Sequence, residues 1–91
     1  MDKKEQIMNK VEIYTTKVCP YCVKAKNLLI KKGVIFTEID VSDDPNAREV
    51  LLVKAEGRRT VPQIFIDDKP IGGCDDLYAL EASGELDKLL A

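Results

Sequence analysis

The feature that most restricts the fold is a strand, a helix and a second strand within about 30 residues. Val11, Ile13 and Thr15 fall on one face of a predicted strand at 11–15. The helix that follows is predicted to end in a basic turn and a glycine, and β-branched residues at 34–41 predict the second strand. Such a unit pairs its strands in parallel through a right-handed crossover. The helix residues that recur at core spacing are Cys22, Ala25, Leu28 and Leu29.

The remaining chain continues the α/β pattern. The predicted elements are a helix at about 45–56, a strand at 63–67, an edge strand at 70–72, a helix at about 75–83 and a short last helix after Gly84. The helix at 45–56 is expected to carry Ala47, Val50, Leu51 and Lys54 on one face. The order β-α-β-α-β-β-α predicts a four-stranded mixed sheet flanked by helices. Residues 10–91 would form this single domain, after a flexible lead-in at residues 1–9.

The composition indicates a globular protein and excludes some partners. With 45% hydrophobic residues among 91, the chain can close one small core. Its 14 basic and 16 acidic residues give a net charge of −2, so nucleic acid is not an expected partner. Residues 1–10 are polar and predict neither a signal peptide nor a membrane anchor. We therefore expect a soluble, cytoplasmic monomer with no membrane contact.

Cys19 and Cys22 stand where the first strand gives way to the helix. Pro20 suits the first helical position because no N–H is needed there. Cys19 then lies just before the helix, where unpaired N–H groups stabilise a thiolate. An exposed helix terminus supplies about 0.3–1 kcal/mol to a charge, less than the ~2.7 kcal/mol that makes a thiol mostly thiolate at pH 7. We expect the remainder from the N–H groups of Tyr21 and Cys22, with Lys17 nearby.

Cys19 is predicted to be the exposed attacking thiol and Cys22, one turn inside, the resolving thiol. The alternatives are a structural disulfide, half of a zinc site, or two inert core cysteines. A disulfide across so short a loop restricts the unfolded chain little, and it would be unusual without an export signal. A zinc site needs four ligands, and the sequence has three cysteines in all and no histidine. We therefore favour a redox pair and expect no bound metal.

Three motifs occur in the order and spacing of the glutaredoxin family: Cys-Pro-Tyr-Cys at 19–22, Thr-Val-Pro at 60–62 and Gly-Gly-Cys-Asp-Asp at 72–76. From about residue 11 onward the chain resembles the small bacterial dithiol members. The resemblance implies a thioredoxin-like fold and a glutathione-dependent thiol-disulfide oxidoreductase. Such an enzyme reduces glutathione mixed disulfides and protein disulfides, including that of ribonucleotide reductase, with glutathione as co-substrate.

The resemblance also implies roles for the two cysteines and for a proline. Cys19 resembles the nucleophile that attacks the mixed disulfide between glutathione and another thiol. Cys22 resembles the thiol that resolves a protein disulfide. The Val61-Pro62 bond corresponds to a cis-proline of the family, next to which the Val61 backbone pairs with the cysteine of glutathione like an added strand.

The glutathione carboxylates have implied positions as well. Gly73 leads into a helix N-terminus, where backbone N–H groups would hold the γ-glutamyl carboxylate. Asp75 or Asp76 would receive the α-ammonium, and one of them is also a candidate helix cap. The residues implied to bind glutathione are Lys17, Tyr21, Arg58, Thr60, Val61, Pro62, Gly73, Cys74, Asp75 and Asp76.

One position departs from the family pattern. The family usually carries Lys or Arg three residues before the nucleophile, but this chain has Thr16 there, followed by Lys17. The basic residue that meets the glycine carboxylate is therefore left open between Lys17, Arg58 and Arg59. Cys74 is expected to be a small, buried, unreactive thiol, and the alternative is a third redox-active cysteine.

Two other functions are left open at this stage. A thioredoxin-like reductase recharged by a flavoprotein would need the two cysteines but not the groove formed by residues 72–76. An iron–sulfur carrier would use Cys19 and glutathione to bridge two subunits around a [2Fe–2S] cluster. Pro20 stiffens the loop that such a cluster needs and disfavours this second alternative.

Overall fold

The computed structural model describes residues 10–58 and 60–90, so the predicted lead-in at 1–9 and the alternative at Arg59 lie outside the described residues. Four strands and four helices occur within these residues. The strands are β1 (Val11–Thr15), β2 (Thr37–Asp40), β3 (Gln63–Ile66) and β4 (Lys69–Gly72). The helices are α1 (Pro20–Lys31), α2 (Pro45–Lys54), α3 (Cys74–Ser83) and α4 (Glu85–Leu90).

The strands form one mixed sheet in the order β2-β1-β3-β4. β1 runs parallel to β2 and antiparallel to β3, and β3 runs antiparallel to β4. The predicted βαβ unit and four-stranded mixed sheet are therefore confirmed. Pro70 lies on β4 at the sheet edge, the position where a missing N–H is tolerated. Because β1 is a central strand, its carboxyl end leads to α1 from the middle of the sheet.

Helices cover both faces of the sheet. On one face α1, α3 and α4 bury Leu77 and Leu86 against the central strands. On the other face α2 packs Leu51 against Tyr14 and Phe65, whose rings meet edge to face with centroids 5.5 Å apart. β3 is buried along its whole length, as a central strand covered on both faces must be. None of the helices in residues 10–58 and 60–90 is long and apolar enough to cross a membrane.

The second strand begins later than predicted. β2 begins at Thr37 rather than at position 34, because the C-terminal cap of α1 extends to Val34. There the Gly33 N–H donates to Ile30 O at 2.9 Å and the Val34 N–H donates to Leu29 O at 3.0 Å. Gly33 has a φ of 74°, which completes a Schellman motif.

Only part of the predicted face of α2 is buried. Val50 lies at the edge of that face and is 53% exposed. Ala47 and Leu51 do pack on the sheet, and the Lys54 ammonium lies 4.8 Å from the centre of the Phe65 ring. These contacts recur at i, i+4 and i+7, a stripe that leaves Val50 just outside it.

Docking of the short helix α4 is expected to depend on Leu86, which is fully buried in the core. Leu86→Ala should lower the free energy of unfolding by about 2–5 kcal/mol, because it removes buried apolar surface and leaves a cavity. The matched control is Val53→Ala at an 80% exposed site on α2, which should change it by no more than about 0.5 kcal/mol. Urea unfolding followed by circular dichroism measures both. Equal effects in the two variants would contradict the docking of α4.

Candidate active site

Cys19 and Cys22 occupy the start of α1 as the sequence predicts. Cys19 is the N-cap residue in an extended conformation, and Pro20 is the first helical residue. The two cysteines form a disulfide with their Cα atoms 5.1 Å apart. The Cys22 N–H donates to Cys19 Sγ at 3.1 Å, so a helix N–H points at this sulfur. Cys22 is only 1% exposed and Cys19 is partly exposed, so a substrate reaches Cys19 first.

The loop between α2 and β3 forms the wall beside this disulfide. The Val61-Pro62 peptide bond is cis, as the resemblance implied. The Val61 carbonyl oxygen lies 3.8 Å from Cys19 Sγ. Gln63 Nε2 donates to the Thr60 carbonyl oxygen at 2.9 Å and to the Thr60 hydroxyl oxygen at 3.2 Å. The sequence pattern did not single out Gln63, although it is the one polar residue of β3.

A groove of about 380 Å³ opens between this loop and the N-terminus of α3. Every residue that the resemblance assigns to glutathione lines the groove, with the exception of Lys17. The two walls are distant in sequence, and they meet because β3 and β4 pair antiparallel and return the chain to the same end of the sheet. The groove therefore combines a strip of backbone and a helix N-terminus in one depression, and its Val61 wall adjoins the Cys19 sulfur.

Lys17 is directed away from the groove. Its N–H donates to Ser42 Oγ at 2.7 Å, and its ammonium pairs with Asp43. Both partners lie in the loop between β2 and α2. Of the two basic candidates within the described residues, the structure brings Arg58 to the groove and leaves Lys17 outside it.

The N-terminus of α3 is closed by its own acidic residue, Asp76. Asp76 Oδ2 accepts the Gly73 N–H at 2.9 Å, and Arg58 Nη2 donates to the same oxygen at 3.2 Å. The Gly73 hydrogen bond, and after it the Arg58 guanidinium, hold the pKa of Asp76 below its ordinary value. Asp76 thus takes the capping role that the sequence left open between two residues. Asp75 is exposed on the same turn.

Cys74 is the first residue of α3 and lines the groove, yet its thiol is buried. Burial raises the pKa of the Cys74 thiol, and the nearby Lys24 opposes the rise. A raised pKa disfavours the thiolate and supports the interpretation of Cys74 as an unreactive thiol. Within residues 10–58 and 60–90, no group of three or more His, Cys, Asp or Glu side chains is placed to hold a metal ion.

The comparisons with known proteins all identify glutaredoxins. The glutaredoxin family model matches residues 11–71. Glutaredoxin 3 of Escherichia coli (strain K12) is 58% identical over 83 residues, which cover 91% of this chain and 99% of that protein. The solution structure of glutaredoxin from Brucella melitensis is 54% identical, with a TM-score of 0.80 over 91% of this chain and 89% of that one. A buckwheat glutaredoxin-glutathione complex is 32% identical, with a TM-score of 0.80 over 90% of this chain and 76% of that one.

The packing of Asp76 over Gly72 can be tested with a single methyl group. Gly72 has a φ of +115°, and a Cβ on it would overlap Asp76 Oδ2 and lie 2.9 Å from Arg58 Nη1. Gly84 is the matched control, because its φ of +83° is also left-handed but nothing lies within 4 Å of an added Cβ. Gly72→Ala should therefore lose about 1–3 kcal/mol more unfolding free energy than Gly84→Ala in urea. Equal losses would contradict the close contact between the Asp76 carboxylate and Gly72.

Proposed function

This chain belongs to the glutaredoxin family and is a thiol-disulfide oxidoreductase, and from that premise we propose that glutathione is its co-substrate. The enzyme reduces glutathione mixed disulfides and protein disulfides through Cys19 and Cys22. The observation that carries the proposal is the groove beside Cys19, which offers hydrogen-bonding and charged groups matched to a small peptide with two carboxylates. The buckwheat relative, whose structure is a glutaredoxin-glutathione complex, supports it.

The first route needs only one cysteine. The Cys19 thiolate attacks the glutathione sulfur of a mixed disulfide, and the released thiolate of the substrate takes up a proton from water. Cys19 is then disulfide-bonded to glutathione. A second glutathione, as its thiolate, attacks the glutathione sulfur on Cys19, forms glutathione disulfide and restores the Cys19 thiolate. The N–H of Cys22 favours Cys19 as the leaving group, because it stabilises the charge that returns to this sulfur.

The second route uses both cysteines on a protein disulfide. Cys19 attacks one sulfur of the substrate and forms an intermolecular disulfide with it. Cys22 loses its proton and attacks Cys19 Sγ, which releases the reduced substrate and leaves the Cys19–Cys22 disulfide seen in the structure. Two glutathione molecules then reduce this disulfide and leave as glutathione disulfide. Substrate access to Cys19 and burial of Cys22 fit this order of attack.

Glutathione is proposed to lie along the groove, with each of its charged groups held by groups of opposite charge or polarity. Its cysteine pairs with the backbone of Val61 beside the Cys19 sulfur. Its γ-glutamyl carboxylate meets the unpaired N–H groups of the first turn of α3. Asp75 receives the α-ammonium, since Asp76 Oδ2 already accepts from Gly73 and Arg58. Arg58 receives the glycine carboxylate, because it lines the groove and Lys17 does not. A guanidinium has five N–H donors, so the pair with Asp76 leaves others for the ligand.

Three further parts of the proposal concern the setting of the enzyme. Ribonucleotide reductase is proposed as one of its protein disulfide substrates. The compartment is proposed to be the cytoplasm, because the cycle needs a reducing pool of glutathione. The enzyme is proposed to act as a monomer, since each route uses one groove and one pair of cysteines.

Cysteine variants separate the two routes. Cys22→Ser should keep activity on a glutathionylated peptide, because that route needs only Cys19, and should lose reduction of the ribonucleotide reductase disulfide. Cys19→Ser should lose both activities, since no other cysteine in the described residues is exposed at the groove. Both activities are measured by NADPH consumption in a coupled assay with glutathione reductase.

A second coupling system serves as the control for glutathione dependence. The wild-type enzyme should turn over with glutathione and glutathione reductase, and should not turn over with thioredoxin reductase alone. Turnover only with thioredoxin reductase would show that the co-substrate is not glutathione. A Cys22→Ser variant inactive on the glutathionylated peptide would contradict the single-cysteine route.

A further inference from the structure

Gln63 is a polar side chain buried where its strand neighbours are apolar. It is 1% exposed, and the rest of β3 consists of the buried residues Ile64, Phe65 and Ile66. A buried amide without hydrogen-bond partners destabilises a fold, so the partners of a buried amide indicate why it is there. In this position the amide bonds the loop that precedes the strand.

Both hydrogen bonds of the Gln63 side chain go to one residue of that loop. Its Nε2 donates to the Thr60 carbonyl oxygen at 2.9 Å and to the Thr60 hydroxyl oxygen at 3.2 Å. The backbone of Gln63 is itself fixed, because it pairs with Tyr14 of the central strand β1. The amide therefore ties Thr60, an exposed residue, to the rigid centre of the sheet.

The tied loop is the one that faces the reacting sulfur. The Val61 carbonyl oxygen lies 3.8 Å from Cys19 Sγ. The Pro62 carbonyl oxygen lies 3.4 Å from the position that a Cβ on Gly73 would take. The loop is thus wedged between the active-site sulfur and the start of α3, and a small shift of Thr60 would move the backbone that a ligand must pair with.

We propose that Gln63 is a positioning residue that fixes the Thr60 to Pro62 backbone for the glutathione moiety of the substrate. The inference rests on the proposed function, because the moiety it concerns is glutathione. A loop that is already held in its binding conformation does not lose conformational entropy when the ligand binds, and this raises the affinity. The Gln63 side chain contacts neither the Cys19 sulfur nor the Cys22 N–H that donates to that sulfur. It reaches Cys19 only indirectly, through the Val61 carbonyl 3.8 Å from the sulfur, so we expect it to act on ligand recognition and to change the intrinsic reactivity of Cys19 little.

The test compares a reaction that uses the loop with one that does not. Gln63→Met keeps the volume of the side chain and removes its donors. It should lower kcat/KM for a glutathionylated peptide by about 5- to 10-fold, a fall within the range expected for the loss of its two hydrogen bonds to Thr60. Alkylation of Cys19 by iodoacetamide, followed by peptide mass spectrometry in a Cys22→Ser background, should stay within about twofold of the parent, because iodoacetamide is far too small to need the loop.

Thr15→Val is the matched control for a general loss of stability. Thr15 is as buried as Gln63, and its hydroxyl donates to Glu38 Oε2 on β2 at 2.8 Å rather than to the loop. This variant should lower the free energy of unfolding as Gln63→Met does, and keep the parent kcat/KM. A similar fall of kcat/KM in both variants would overturn the proposal, since it would trace the effect to stability.

A double-mutant cycle assigns the effect to Thr60. Thr60→Val removes one of the two acceptors and should cost about twofold in kcat/KM. In the Gln63→Met background it should cost nothing further, because the bond is already gone.

Additive losses, a Gln63→Met variant with parent kcat/KM, or equal falls in kcat/KM and alkylation rate would each overturn the proposal. If Gln63→Met does not fold, a Thr60→Val variant with parent kcat/KM would overturn it. Failure of the proposed function shows separately, as a wild-type enzyme that does not use glutathione.

Discussion

The site depends on one contact, between the Cys19 sulfur and the first turn of α1. The Cys22 N–H points at this sulfur from 3.1 Å, and Pro20 between them has no N–H to compete for it. Neither partner can drift, because β1 is a central strand and α1 is buried against it through Leu28 and Leu29. The packing of the core therefore sets the environment of the sulfur before any substrate arrives.

The rest of the site consists of a loop and a helix N-terminus that the sheet brings close to this sulfur. The loop before β3 and the start of α3 reach the same depression because β3 lies beside β1 and β4 lies beside β3. A polar side chain stabilises each wall: Gln63 bonds the loop from the buried side, and Asp76 caps the helix at the groove itself. Asp76 also pairs with Arg58, so the charged groups that face the groove are held by internal contacts and need little rearrangement to meet a ligand.

Local patterns were sufficient to predict much of this structure. The shared face of Val11 and Ile13, the helical spacing of Ala25 and Leu28, and proline at the start of α1 depend on neighbours in sequence. All three are confirmed. The parallel pairing of β1 with β2 followed from the short βαβ spacing. The cis bond at Pro62 came from the resemblance alone, because the sequence itself makes such a bond improbable.

What the sequence did not predict arises mostly from contacts between residues far apart in the chain, whereas the late start of β2 arises from a local contact. Position 34 looked like strand because Val is β-branched, but its N–H completes the cap of α1. The pairing of Lys17 with Asp43, 26 residues away, has no signature in sequence. The roles of Asp75 and Asp76 separated only when Arg58, 18 residues from Asp76, was seen to pair with one of them. Gln63 was missed because a polar residue at a strand start is unremarkable until its burial is known.

The most direct test of the account is the charge on Cys19 in the reduced enzyme. Thiolates absorb in the ultraviolet where thiols do not, so the absorbance lost on oxidation counts the thiolates present. At pH 7 the account predicts close to one thiolate per molecule, absent from Cys19→Ser. An absorbance corresponding to about 3% of a thiolate, the value for an unperturbed cysteine, would contradict it.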